Sequence, residues 1–390
     1  MSRPQQALLY LTLFVVAASA GVVFALLADL QDEHDLPSWG IGVIASITFF
    51  AGVIGQLALA RFADRGHARV MLLGAVTAAA IGCLGFVASD NVWEFILARL
   101  VLGLGFGALS PVIRGVVAAV DPETSGSRLG FVGSLELGGL MLGPALGGWL
   151  ADTWSLDTPF YLYGLTCALL APLLLRIDLP TMTVGERGRL LPVLRRPRVQ
   201  LVALVQIALM VPAGAFEAVW AIYLDDLGAS TTVLGVGLLA YGLPFMVMSP
   251  VGGWLADRTG GFRTALIGTL AIAPIILLFG RVTSVWQIIV LAATEGVIAG
   301  LTLPAVATAM VRATRPGEFA TGQGISAAGG LFAAGGIALI ATPVYDAIGP
   351  AWLFGGAAAL SGALATVVWR ASRPYVGADG RITEPVPVAA

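Results

Sequence analysis

The sequence predicts an all-α integral membrane protein whose twelve transmembrane helices form two pseudo-symmetric six-helix bundles. Three observations carry this. Of its 390 residues, 58% are hydrophobic and only 11% charged, with a mean hydropathy of +0.91, whereas an ordinary soluble domain carries about 25% charged residues. The apolar residues gather into runs of about 20, the length that crosses a hydrocarbon core as a helix. The arginines, finally, fall almost entirely on one side of those runs.

The first run, Ala7 to Ala28, exceeds the roughly 7–15 residues of a signal-peptide core and reads as span 1. Spans 2 to 6 follow near 39–60, 70–88, 94–117, 129–150 and 159–177. A polar stretch, "DLPTMTVGERGRLLPVLRRPR", then separates them from spans near 199–223, 231–255, 264–281, 285–310, 323–343 and 350–370. With the N-terminus placed in the cytoplasm, all 21 basic residues, every one an arginine, lie on the inner side except Arg281 and the intramembrane Arg99. That is the bias the positive-inside rule requires. Asp29, Asp32, Glu33 and Asp35 gather in the first outer loop. The expected organisation is an N-terminal bundle (1–177), a cytoplasmic linker (178–198), a C-terminal bundle (199–372) and a cytoplasmic tail (373–390), with the chain multi-pass in the cell membrane. Equal halves suggest duplicated bundles with a substrate path between them. "LGLGFGALSPVI" in span 4 and "EGVIAGLTLPAV" in span 10 echo each other where a six-helix repeat would place them.

Composition also excludes function classes. A net charge of −2 and the lack of a basic tract argue against nucleic acid as a partner. Cys83 and Cys167 lie in apolar runs and read as small core residues. His34 and His67 are the only histidines and both fall in loops, so neither a metal cluster nor a histidine-assisted triad is expected. A phosphate-binding loop of the G-x-x-x-x-G-K type needs a lysine, and the chain has none. No enzyme and no cofactor are expected, and coupling to an ion gradient is the simpler energy source.

The hexapeptide "GGWLAD" occurs at Gly147–Asp152 and at Gly252–Asp257. The first copy ends span 5 on the outer face and the second ends span 8 on the inner face, so the two do not share a role. The second continues as "GGWLADRTGGFR", and the loop after span 2 reads "ARFADRGHAR". Here the chain resembles the major facilitator superfamily, whose 2–3 and 8–9 loops carry G-x-L-A-D-R-x-G-R-R. Gly253, Leu255, Ala256, Asp257, Arg258 and Gly260 match, with Arg263 as a displaced basic end. In the first loop Ala63, Asp64, Arg65 and Arg69 match, while Ala60, Phe62 and His67 depart from the pattern. The resemblance implies an inner latch that opens and closes during transport. Its physical basis is that a carboxylate at a helix end accepts bonds from the free N–H groups of a neighbouring helix N-terminus.

Around the first hexapeptide, "ELGGLMLGPALGGWL" resembles the span-5 signature of the family's exporters, G-x-x-x-G-P-x-x-G-G, through Gly139, Gly143, Pro144, Gly147 and Gly148. Small residues four apart let helices approach closely. In the family this stripe lies against span 8 and is associated with antiport. Arg99, Gly103 and Gly105 resemble a further span-4 pattern whose arginine is tied to proton coupling.

Charged side chains inside a bilayer are functional candidates by default. Arg99, Glu217 and Glu295 fall on spans 4, 7 and 10, which line the central cavity in the family. Arg99 and Glu217 lie at similar depth, about 8 and 10 Å from the outer ends of their spans, and Glu295 lies about 15 Å into span 10. Glu217 is the preferred proton site and Glu295 the candidate for substrate or coupling. Arg114 and Glu136 are equidistant from Ser125 in the 4–5 hairpin and are read as a structural ion pair rather than a transport site. Tyr10, Phe14, Phe106, Trp220, Tyr241 and Phe245 lie on or beside candidate cavity helices, where they either bind an apolar or cationic substrate or, as is commoner for aromatics in membrane helices, face lipid or pack. The resemblance thus implies a secondary transporter working by alternating access as a monomer in the lipid bilayer, with a small molecule and protons as partners. Proton-coupled export of amphipathic, drug-like molecules is the leading expectation. A nutrient symporter or uniporter, and a non-transporting receptor or assembly factor on the same scaffold, stay open as alternatives.

Overall fold

The computed structural model describes residues 3–122, 124–179, 190–229, 231–377 and 379–382. Among the described residues twelve apolar helices of at least 17 residues follow one another, with shorter helical turns between some of them. They are α1 (Arg3–Ala25), α2 (Ser38–Ile54), α3 (Ala68–Val87), α4 (Val92–Val120), α5 (Ser125–Thr153) and α6 (Thr158–Leu174), then α7 (Pro197–Asp226), α8 (Thr231–Thr259), α9 (Gly261–Phe279), α10 (Val285–Ala313), α11 (Phe319–Ile348) and α12 (Pro350–Ser372). Among the described residues eleven spans are long and apolar enough to cross a membrane, that of α2 because its helix continues to Leu59, and α6, at 17 residues, is the shorter twelfth. Lipid offers the backbone no hydrogen-bond partner, so each span satisfies its own amides within a helix. Buried hydroxyls do likewise: Thr269 Oγ1 donates to the Ala265 carbonyl and Thr308 Oγ1 to that of Pro304, each at 2.8 Å.

Two compact units form. Unit 1 comprises Met1–Val120, Leu135–Leu190 and Pro316–Gly324; unit 2 comprises Asp121–Ser134, Leu191–Arg315 and Ile325–Ala390. In unit 1, α3 packs on α4 and α6, and α2 on α4. Phe86 is the aromatic centre there, stacked on Phe160 at 4.8 Å and tilted against Phe95 at 5.6 Å. In unit 2, α8 and α9 both pack on α10, while α12 covers α7 and α9. Phe216, Phe279, Phe354 and Tyr223 interlock in its core, and the Tyr223 hydroxyl donates to the Phe279 carbonyl.

Large apolar side chains also point outward, Leu339 at 81% exposure and Phe332 at 79%. A soluble surface does not tolerate so much contiguous apolar area; a bilayer requires it. Between α2 and α3 the helix widens over Gly55–Leu59 and Ala63–His67. It turns at Gly66, whose φ of 87° suits glycine.

Candidate functional site

The turn at Gly66 sets Asp64 inward. This carboxylate is fully buried and grips the N-terminus of α11. Its Oδ1 accepts from the Ala320 amide at 3.1 Å and its Oδ2 from the Thr321 amide at 2.6 Å. These are the second and third residues of α11, whose amides have no partner within the helix. The positive end of the helix dipole adds to the attraction. Arg65 and Arg61 each stack over Phe62 at 5.3 Å. Arg69 Nη2 donates to the Ile177 carbonyl at 2.8 Å, just beyond the end of α6.

The α8–α9 turn repeats the device. Asp257 Oδ1 accepts from the Gly126 amide at 2.9 Å and Oδ2 from the Ser127 amide at 3.1 Å. Those amides are again the second and third residues of a helix, here α5. Arg312 Nη2 donates to the Asp257 carbonyl at 3.3 Å, and Arg258 lies 3.9 Å over the Trp254 ring. Gly253 must be a glycine, because a Cβ there would fall on the Gly126 carbonyl. One turn deeper, Ser249 Oγ donates to the Gly130 carbonyl and Ser134 Oγ to that of Met246, both at 2.7 Å. Gly260 turns the chain at φ 76° and faces Gly380 of the C-terminal segment. That segment closes on itself through a Val376–Ile382 bridge, and the Gly380 carbonyl receives the Arg263 amide at 3.4 Å.

Gly139, Gly143 and Gly147 turn towards α1, where added Cβ atoms would meet Phe14 and Ala17, Ala18, and Val22 respectively. Gly21 of α1 returns the contact, facing Leu140 and Pro144. Gly148 faces open space. Gly126, Gly130 and Gly133, nearer the start of the helix, pack on α8. Spacing encodes how closely two helices approach but not which helix answers.

Of the intramembrane charges, Arg99 is fully buried and its Nη1 donates to the Ala20 carbonyl of α1 at 2.9 Å. Arg114 Nη2 and Glu136 Oε2 meet at 2.7 Å, with Ser110 Oγ donating to the same oxygen at 2.9 Å and accepting from Arg114 Nε at 3.2 Å. Ser110 escaped sequence reading although it stands one helical turn before Arg114. Breaking a fully buried pair from one side costs about 3–5 kcal/mol. Because these side chains keep 23% and 18% exposure, Arg114→Met is expected to cost about 2 kcal/mol. The double variant Arg114→Met/Glu136→Leu should recover most of that. Thermal unfolding in detergent checks it, and a double variant no more stable than the single one would refute the pair's structural role.

Glu295 sits mid-way along α10, beside Gly296, on which the Tyr241 backbone of α8 packs with no room for a Cβ. Tyr241 stacks on Phe245 at 6.1 Å, so an acid and an aromatic pair share one neighbourhood. Glu217 belongs to α7, and its side chain lies outside the described residues. Among the described residues no cluster of three or more His, Cys, Asp or Glu is placed to hold a metal.

Comparisons with known proteins agree with this architecture. The profile described as Major Facilitator Superfamily matches residues 9–219 and 202–388. The multidrug resistance protein MdtG of Dickeya zeae (strain Ech586) is 30% identical over 299 residues, 72% of each chain. MdtG of Enterobacter lignolyticus (strain SCF1) is 29% identical over 291 residues, covering 71% of this chain and 69% of its own. Among solved structures, the human organic anion transporter MFSD10 (TETRAN) superposes with a TM-score of 0.81 at 17% identity, over 94% of this chain and all of its own. The transporter FucP, in the outward conformation, superposes at 0.77 with 16% identity, over 94% and 98%. A profile matched across both halves of the chain, on a scaffold of twelve apolar helices, identifies the protein as a member of the major facilitator superfamily, a multi-pass membrane transporter rather than an enzyme.

Proposed function

We propose that this transporter exports amphipathic, drug-like molecules in exchange for protons, by alternating access. The observation that carries the reading is Glu295, an acid in the middle of an apolar 29-residue helix beside the stacked Tyr241 and Phe245. A carboxylate there costs energy unless function retains it. The aromatic faces suit a lipophilic cation, and the multidrug resistance for which the MdtG relatives are named supports export as the direction. Glu295 binds substrate or proton in alternation, with Glu217 as the second candidate for the coupled proton and Arg99 modulating the pathway from α4. Asp64 and Asp257, with Arg65, Arg69, Arg258, Arg263, Gly253 and Gly260, form the latches that make and break during the cycle. Gly139, Gly143, Pro144, Gly147 and Gly148 let α5 slide on α1. The arginine distribution supports cytoplasmic termini in the inner membrane, and a monomer suffices.

Inverted vesicles energised by respiration test the reading. A pH-sensitive dye is followed as lipophilic cations, dyes and sugars are added in turn. Lipophilic cations are expected to collapse the proton gradient in vesicles containing the protein, and sugars are not. A collapse driven by sugars alone would overturn export of drug-like molecules in favour of a nutrient carrier.

A further inference from the structure

Within unit 2, α8 and α9 pack on α10 but touch each other little beyond their shared turn. They leave a trough of about 650 Å³ open at the surface. Its walls and floor are mainly apolar, formed by Leu255, Ile267, Ala271, Ile298 and Leu301 with the threonines Thr259, Thr264 and Thr302 between them, and its mouth is marked by Arg263. From Arg263 to Ala271 the trough runs eight residues along α9, on the order of 12 Å at 1.5 Å per residue. Ile267 is 49% exposed within it, so the trough faces the surroundings of the helices, which in a membrane are acyl chains.

The mouth is a built feature. Arg263, in the first turn of α9, has its backbone held by the Gly380 carbonyl. Gly380, at φ 74°, lies flat on the arginine stem, where a Cβ would stand 2.9 Å from Arg263 Cβ and 3.2 Å from its Cδ. The C-terminal turn thus pins the stem and leaves the guanidinium at the rim, where Arg263 is exposed. Asp379 also borders the mouth, but its carboxylate is engaged by Arg381 Nε at 3.3 Å. Among the described residues the balance at the rim is therefore one positive charge. Depth is marked by Trp254, 45% exposed on α8, since tryptophan favours the headgroup level of a bilayer.

From this we propose that the α8–α9–α10 trough is a binding site for an anionic phospholipid, its phosphate on Arg263 and one acyl chain lying between α8 and α9. Charge selects the headgroup, and the apolar walls select a molecule that carries a chain. The occupant is a lipid of the leaflet on the Arg263 side of the membrane, not a free phosphate.

The full-length protein in detergent, titrated with phosphatidylglycerol and followed by native mass spectrometry, tests the site. One lipid is expected to bind, and Arg263→Gln should weaken it about fivefold, the worth of one arginine at a charged surface. Ala271→Trp fills the trough without touching the α8–α9 turn and should weaken binding comparably, so the test stands even if the arginine variant fails to fold. Glycerol 3-phosphate, which has the charge but no chain, should not compete. Equal binding by native protein and Ala271→Trp would overturn the proposal. So would competition by glycerol 3-phosphate, which assigns the rim to a free anion, or phosphatidylcholine bound as tightly as phosphatidylglycerol, which removes the role of charge.

Discussion

Asp64→Ala is expected to reduce export about 100-fold while leaving the protein in the membrane at near-native levels. Two amide–carboxylate bonds hold the start of α11, at 3.1 and 2.6 Å. Each charge-assisted bond is worth about 1.5–3 kcal/mol, and every 1.4 kcal/mol moves a population about tenfold. Losing both therefore depopulates the latched arrangement by two orders of magnitude or more, and a cycle that must pass through it slows in proportion. Asp64→Asn keeps one acceptor oxygen of the two, without the charge, and should fall between alanine and native protein. Asp257→Ala should lose less, because Asp257 is partly exposed whereas Asp64 is fully buried, and water replaces part of what is removed. Efflux of a fluorescent substrate from cells, normalised to protein in the membrane, measures all three. Native efflux in Asp64→Ala would show that the contact is structural and not part of the cycle.

Glu295→Gln is expected to separate coupling from movement. The amide keeps the shape of the side chain and its place beside Tyr241 but neither gains nor loses a proton. Uphill export driven by a pH gradient should therefore disappear, while exchange of labelled for unlabelled substrate down its own gradient persists. Inverted vesicles give both measurements on one preparation. If Glu217→Gln shows this behaviour and Glu295→Gln retains gradient-driven export, the proton is carried on α7 and Glu295 is left with the substrate. Loss of both activities in Glu295→Gln would assign it to substrate binding alone.

Much of the architecture is legible in the sequence because a membrane span must be both apolar and self-satisfied in its hydrogen bonds. Length and composition alone then reveal it. Helix ends are less legible: α4, α5, α8 and α10 each run 29 residues, well past their apolar cores, since nothing in hydropathy tells a helix where to stop once it reaches water. Asp64 and Asp257 announce themselves as carboxylates just ahead of a turn glycine, Gly66 and Gly260. The amides that donate to them do not, for Ala320 lies 256 residues from Asp64 and no local pattern links them. The same blindness explains the span-5 stripe, whose glycines predict a close approach yet leave α1 as the partner to be found by folding. Ser110, Arg312 and Ser249 are ordinary in sequence and matter only because three-dimensional packing brings a carboxylate, a carbonyl or a glycine to them.

The composition of the compact units has a practical meaning for dissecting the protein. A cut in the linker yields two fragments of six helices, which look like natural halves. Yet the first fragment would lack Pro316–Gly324, which completes unit 1, and the second would lack Asp121–Ser134, which completes unit 2. Each would present a carboxylate without the amides it accepts from, Asp64 on one and Asp257 on the other. Split-protein experiments should accordingly succeed only by co-expression, each fragment acting as the chaperone of the other.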